Sequence, residues 1–131
     1  CVIDLDTVMP GLSHYDFGDS IRFGASTGAE DETDLSKIEL DLTLFEAFVK
    51  GYLEGCDGSL TSLEIETLPM GAILMTYECG IRFLADYLEG DIYFKIHRDG
   101  HNLDRARTQF KLVADMEKKW DEMASIINKY K

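Results

Sequence analysis

From Met70 to Leu88 the chain is almost continuously apolar, with Pro69 at its head. The stretch reads as a helix, and proline is tolerated at a helix start, which Pro69 would mark. A helix that is apolar on most faces must be buried in a larger body. That requirement points to a helical fold class. Glu78, Arg82 and Asp86 interrupt the stretch. No run of about 18 apolar residues therefore exists to span a membrane.

The flanking sequence supplies further helices. Tyr15 to Gly24 carries Phe17 and Ile21 at helical spacing, with Asp16 and Asp19 early in it. Gly24 to Asp34 is rich in Ser, Thr, Gly and acids and reads as a solvated loop. Asp41 to Leu53 places Leu44, Phe45, Phe48, Val49 and Tyr52 on one side of a helix, stopped by Gly55 and Asp57-Gly58. Thr61 followed by Glu64 forms a capping-box pattern, with Ser59 as an alternative cap. Asn102 is placed to cap a last helix running to about Tyr130, with Leu103, Phe110, Trp120 and Ile127 along one face. Val2 to Asp6 alternates apolar residues with Asp4 and Asp6, as in a strand bearing both carboxylates on one face, and Met9-Pro10-Gly11 breaks it. The expected fold is mainly α: one helical domain over 1–131 with a short N-terminal β-strand or hairpin. A lone strand needs a partner that this sequence does not offer. That point, and a chain opening at Cys1 rather than Met, suggests a piece of a longer protein.

Charge excludes some functions. The 131 residues carry 25 acids against 13 bases, net −12, which disfavours nucleic acid and anionic membranes. The charge is uneven. Residues 1–40 hold nine acids and two bases, 41–95 ten and three, and 96–131 six and eight. The basic C-terminal segment is expected to pack back on an acidic body. The three cysteines, Cys1, Cys56 and Cys79, lack metal-ligand spacing and read as buried, reduced thiols of a cytoplasmic protein.

Carboxylates at the end of a buried strand are costly unless hydrogen bonds or a cation satisfy them. A hard divalent cation on phosphate oxygens is one reason for such a pair; capping of turn N–H groups is the other. Asp4-Leu5-Asp6-Thr7-Val8 matches the D-x-D-x-[TV] nucleophile motif of haloacid-dehalogenase-type phosphatases, but no repeated βα units follow. Asp16-Phe17-Gly18 and His97-Arg98-Asp99 spell protein-kinase motifs in the wrong order, and position 104 is Asp where the loop Asn belongs. Both are coincidences of three letters.

A longer set of matches begins with Ile3-Asp4-Leu5-Asp6, Met9-Pro10-Gly11, Tyr15-Asp16-Phe17-Gly18-Asp19 and Ile21-Arg22. It continues through Phe23-Gly24-Ala25-Ser26-Thr27, Ala29-Glu30-Asp31-Glu32, Glu78-Cys79-Gly80-Ile81-Arg82-Phe83-Leu84 and His101-Asn102-Leu103-Asp104-Arg105. These resemble the region after the catalytic loop in aminoglycoside/choline-kinase-like phosphotransferases, most closely the N-acetylhexosamine 1-kinases. The resemblance covers nearly the whole chain. It implies the helical C-lobe of a protein-kinase-like fold, with ATP as co-substrate and Mg²⁺ as cofactor. By it, Asp4 holds Mg²⁺ against the β- and γ-phosphates and Asp6 supports it. Asp16 or Asp19 is a structural aspartate bracing the catalytic loop.

Arg82, within the apolar stretch, reads either as ion-paired to Glu78 or Asp86 or as a sugar-hydroxyl contact. Tyr93 is a second acceptor contact or a packed aromatic. Trp120 reads as core. His97 and His101 are poorly placed for a metal, and His14 reads as a surface or capping residue.

No H-x-D-x-x-x-x-N loop precedes Asp4, and Lys37, Lys50 and Lys95 lack the strand context of a nucleotide-clamping lysine. The base and N-lobe are expected upstream, and the 131 residues alone are expected to be inactive. The parent is then an ATP-dependent kinase of the anomeric hydroxyl of N-acetylhexosamines. Relatives acting on aminoglycosides, choline or homoserine, and a non-catalytic acidic helical interaction module, are the alternatives.

Overall fold

The computed structural model describes residues 1, 3, 5, 6 and 8–131. Among them are five α-helices: α1 (Ser13–Gly24), α2 (Leu42–Cys56), α3 (Ser62–Glu89), α4 (His101–Lys118) and α5 (Trp120–Tyr130). A single 3₁₀ turn, Leu35–Lys37, lies between α1 and α2. The mainly helical fold expected from the periodicity is present.

Local chemistry explains the helix ends. Asp41 caps α2 by accepting from the N–H groups of Thr43 (2.8 Å) and Leu44 (3.1 Å). Asp57, left-handed at φ 45°, ends it. Thr61 and Glu64 form the full capping box of α3, Thr61 N–H donating to Glu64 Oε2 at 2.7 Å. Gly90 at φ 97° ends α3, where the N–H of Asp91 returns to the Asp86 carbonyl at 2.8 Å. This six-to-one bond is the usual device at a glycine-ended helix.

α3 is the axis, with α1 and α4 packed along it and α5 against both α2 and α3. The core draws Phe17 and Ile21 from α1, Phe45 and Val49 from α2, Leu68 and Ala72 from α3, Leu112 and Met116 from α4, and Met123 and Ile127 from α5. Phe17 meets Phe45, Phe48 and Tyr52 edge-on at centroid distances of 6.1, 5.7 and 5.2 Å. α1 and α3 approach at backbone contact, because a Cβ on Gly18 would fall 2.3 Å from the Gly71 carbonyl oxygen.

Several expectations are corrected. Pro69 does not start a helix: α3 runs straight through it for 28 residues. Proline there removes the donor owed to the Ile65 carbonyl; Pro69 itself is buried. Nor is α3 buried all round. Leu63, Met70, Leu74, Tyr77, Ile81 and Leu88 are about half or more exposed. Asn102 is not a cap. Gly100 at φ 71° precedes α4, and the Asn102 side chain is occupied by tertiary hydrogen bonds. The last helix breaks at Lys119 into α4 and α5. Cys1 is exposed and Cys56 and Cys79 are half-buried, so none is in the core. Burial still pushes the Cys79 thiol up.

No strand is present among the described residues. The expected strand at Val2–Asp6 falls partly on Val2 and Asp4, which lie outside them. Ile3 and Leu5 are exposed, and a turn closes from the N–H of Val8 to the Leu5 carbonyl at 3.2 Å. Among the described residues no strand pairs with Ile3 or Leu5, as expected of a lone strand without a partner. Pairing occurs instead at one antiparallel bridge, Ser26 with Leu40.

The basic C-terminal segment does fold back on acids. Arg105 lies 3.6 Å from Glu30, and Lys119, 2.7 Å from Asp115 of its own segment, lies 3.7 Å from Glu39 and donates to the Leu40 carbonyl at 2.9 Å. Lys129 pairs with Glu46 and Lys131 with Glu66. Asp115 also accepts the Leu40 N–H at 2.8 Å. Burial works against its charged form, but Lys119 and that N–H outweigh it and hold the carboxyl below the usual range. Among the described residues no helix is long and apolar enough to cross a membrane.

Candidate functional site

Past the C-terminus of α3 the chain doubles back over its last turns, and Asp86 is the reason. Its carboxylate, 4% exposed, accepts the N–H groups of Ile92 (3.0 Å), Tyr93 (2.7 Å) and Phe94 (2.9 Å). Asn102, fully buried, donates Nδ2 to Asp86 at 2.8 Å and to Asp91 at 2.9 Å, while its Oδ1 accepts from Arg105 at 3.0 Å. Burial disfavours the Asp86 anion, yet the three N–H donors overcome it and keep the carboxyl below its ordinary value.

This network presents an aromatic and cationic patch. Phe94 packs on Phe83 at 4.7 Å between centroids, and Tyr93 stands edge-on to Phe94 at 4.8 Å. The Arg82 guanidinium carbon sits 5.3 Å from the Phe94 centroid and 5.8 Å from that of Tyr93. Arg82 is not buried as expected: its side chain is 49% exposed, and its nearest carboxylate is Glu78 at 3.7 Å. Arg82 and Asp86 lie one turn apart on the same side of α3, and the difference is cover: the 92–94 segment folds over Asp86 and leaves the Arg82 head open. Asp86 is thus not the partner of Arg82. Tyr93 is 73% exposed. The two residues singled out as acceptor contacts are therefore neighbours on one open surface.

The acidic residues lie elsewhere. Asp4 is outside the described residues. Asp6 is exposed near the turn at Leu5–Val8. Asp16 is exposed on the first turn of α1 and borders a cleft of about 690 Å³, with Met9, Leu12, Tyr15, Leu60 and Glu64. Asp19 braces α1 through Arg22 at 2.9 Å, and Arg22 also reaches Glu30 at 2.9 Å. Glu64 and Arg82 lie 18 positions apart on the same helix, which separates the cleft from the Arg82 patch by about 27 Å. The described chain does not join these two groups into one site. Among the described residues no three His, Cys, Asp or Glu side chains converge on a metal position.

The remaining candidates have structural partners. His14 Nε2 contacts the Thr67 hydroxyl at 2.8 Å. His101 Nδ1 accepts the N–H of His97 at 3.2 Å, which leaves Nε2–H to donate to Asp31 at 3.0 Å. Trp120 is half-buried and lines an open apolar groove with Met70, Ile73 and Glu117, not the core.

Sequence reading missed Asp86 and Asn102 as the organisers of this region. Their signal was available: an acid inside an apolar helical stretch needs donors nearby, and Gly90-Asp91 marks where the chain turns back to supply them. No protein-family model matches the chain.

Proposed function

We propose that this chain is the C-terminal helical part of an ATP-dependent kinase of the aminoglycoside/choline-kinase-like class, acting on the anomeric hydroxyl of N-acetylhexosamines. The mainly helical fold, as expected of the C-lobe that the run of motifs resembles, carries the reading; Arg82 and Tyr93 form a separate surface pair. They are eleven positions apart in the sequence, and the loop held by Asp86 sets them side by side and exposed. An arginine beside a tyrosine offers fixed N–H donors and a ring face, the chemistry that recognises a sugar's hydroxyls and its apolar side.

In this reading Asp4, supported by Asp6, holds Mg²⁺. The donor chemistry fits, since Asp6 supplies an exposed carboxylate and a hard cation takes oxygen ligands. When bound, the ion neutralises charge on the β- and γ-phosphates. Asp86 and Asn102 hold the loop that carries Tyr93 beside Arg82, a pair about 27 Å along α3 from the cleft that Met9 and Glu64 line. An acceptor hydroxyl at the metal is therefore met by other residues, and the base and nucleotide clamp come from elsewhere in the complete protein. The 131 residues alone do not turn over.

The test is ATP consumption by the complete protein carrying these residues, with N-acetylglucosamine, N-acetylgalactosamine, an aminoglycoside, choline and homoserine as acceptors. Hexosamine-dependent turnover that Asp4→Asn abolishes is expected. Turnover that survives Asp4→Asn, or that no acceptor stimulates, overturns the assignment.

A further inference from the structure

Thr108 and Gln109 interrupt the buried part of α4 between Ala106 and Leu112, and they are 2% and 3% exposed. Buried polar atoms are nearly always hydrogen-bonded, yet Gln109 Oε1 has no partner. Thr108 fixes which way that amide points. Its hydroxyl reaches the carbonyl oxygens of Glu30 at 2.5 Å and Arg105 at 2.8 Å, so its one hydrogen is committed to them. Toward Gln109 it can only accept. Gln109 Nε2 therefore donates to Thr108 at 3.3 Å, and Oε1 is left without a donor.

Gln109 borders a cavity of about 110 Å³ between the end of α1, the loop that follows it and α4, with Arg22, Phe23, Ser26 and Glu30 among its other walls. That volume is several times what one water needs. Charge around it balances. Arg22 donates to Asp19 and to Glu30 at 2.9 Å each, and Arg105 lies 3.6 Å from the second Glu30 oxygen. Two arginines meet two carboxylates, so neither an anion nor a cation finds an unmatched opposite charge. Hydrogen-bonding capacity does not balance. Gln109 Oε1 can accept, and so can Ser26 Oγ, whose own hydrogen goes to the Gly28 carbonyl at 3.1 Å. Arg22 gives two of its five N–H donors to those acids. An occupant must therefore donate to two acceptors and can accept from a guanidinium. An ammonium only donates and a carboxylate only accepts, whereas a hydroxyl does both through one atom. Phe23 and Ala29 add apolar wall that suits C–H groups and is wasted on water.

We propose that this cavity binds a small neutral polyol of about the size of glycerol. One hydroxyl donates to Gln109 Oε1 and its neighbour to Ser26 Oγ, while Arg22 donates to their oxygens. The ligand supplies the donor that the buried amide lacks and displaces water from the apolar wall. A molecule of about six non-hydrogen atoms binds weakly, with a Kd of about 1–10 mM. The site is separate from the proposed phosphoryl transfer and does not rest on it.

Titration of the ¹⁵N-labelled chain with glycerol, followed by ¹H–¹⁵N correlation spectra, tests this. Saturable shifts are expected at the Gln109 side-chain amide and at the backbone amides of residues 22–30, with signals from α2 and α5 unmoved. Gln109→Leu should weaken binding at least about tenfold by removing the acceptor. Ala29→Leu, at an exposed position on the cavity wall, should weaken it by filling space without touching a buried side chain. The α2 and α5 signals report that each variant is folded. Ethylammonium, inorganic phosphate and urea are the competing probes, standing for a cation, an anion and an amide. No saturable shift by about 100 mM glycerol, a hundredfold above the tight end of the expected range, overturns the proposal. So do shifts spread over the whole surface, binding that either folded variant leaves undiminished, or tighter binding of any competing probe. None of these readouts depends on kinase activity.

Discussion

Gly18→Ala is the substitution that tests the α1–α3 contact most sharply. The added Cβ would lie 2.3 Å from the Gly71 carbonyl oxygen, 2.6 Å from its carbon and 2.8 Å from Met75 Cγ. Real contacts of this kind do not fall below 3.0 Å, so the helices must part by about 1 Å. Met75 can swing away, but the Gly71 backbone cannot. Overpacking of this sort costs about 1–3 kcal/mol, and an obstacle made of backbone puts it at the top of that range. Alanine returns about 1 kcal/mol of helix propensity. The net expectation is about 2 kcal/mol of destabilisation. Gly51→Ala, in exposed α2 with nothing within 4 Å of its Cβ, isolates the propensity gain and should stabilise by about 0.5–1 kcal/mol. Urea denaturation of both variants reads the difference as a shift in midpoint at constant slope. Gly18→Ala as stable as Gly51→Ala would refute the close approach.

Further expectations concern the α3 termini. Asp86→Ala should strip hydrogen-exchange protection from the Ile92, Tyr93 and Phe94 amides while leaving the α1 amides protected. The same three amides should lose protection at low pH. A carboxyl held below its ordinary 3.8 contributes stability fully above that value and loses it as pH falls through the lower folded pKa; these amides losing protection at higher pH than the α1 amides would count against the network. Thr61→Ala removes the hydroxyl that accepts the Glu64 N–H and should cost about 1 kcal/mol in the same urea titration, with Thr61→Ser largely neutral.

Much of the fold was written locally. Asp41 and the Thr61–Glu64 pair announce helix starts because capping depends only on residues within three positions. Phe17, Phe45 and Ile127 announce core faces by period. What depended on tertiary contact was not legible. Pro69 ordinarily signals a boundary, yet packing on both sides keeps α3 continuous through it. Asn102 has the chemistry of a cap, and only the nearness of Asp86 and Asp91 diverts it. Arg82 looked buried because its sequence neighbours are apolar, but the chain that folds back past Gly90 covers Asp86 and leaves Arg82 half exposed. Gly18, read merely as a motif letter, and Gly71, which carries no local signal, are where two backbones touch. At the candidate site, the Arg82–Tyr93 pairing was anticipated as two separate contacts. The loop that unites them was not, since the anchoring carboxylate lies within the helix.

The central claim is phosphoryl transfer to a sugar, and ³¹P NMR of the complete protein with ATP, Mg²⁺ and N-acetylglucosamine or N-acetylgalactosamine tests it directly. An anomeric phosphomonoester signal should grow one-for-one with ADP. Asp4→Asn should abolish both signals. ADP without a sugar phosphate, or a sugar phosphate that still forms in the Asp4→Asn variant, would contradict the account.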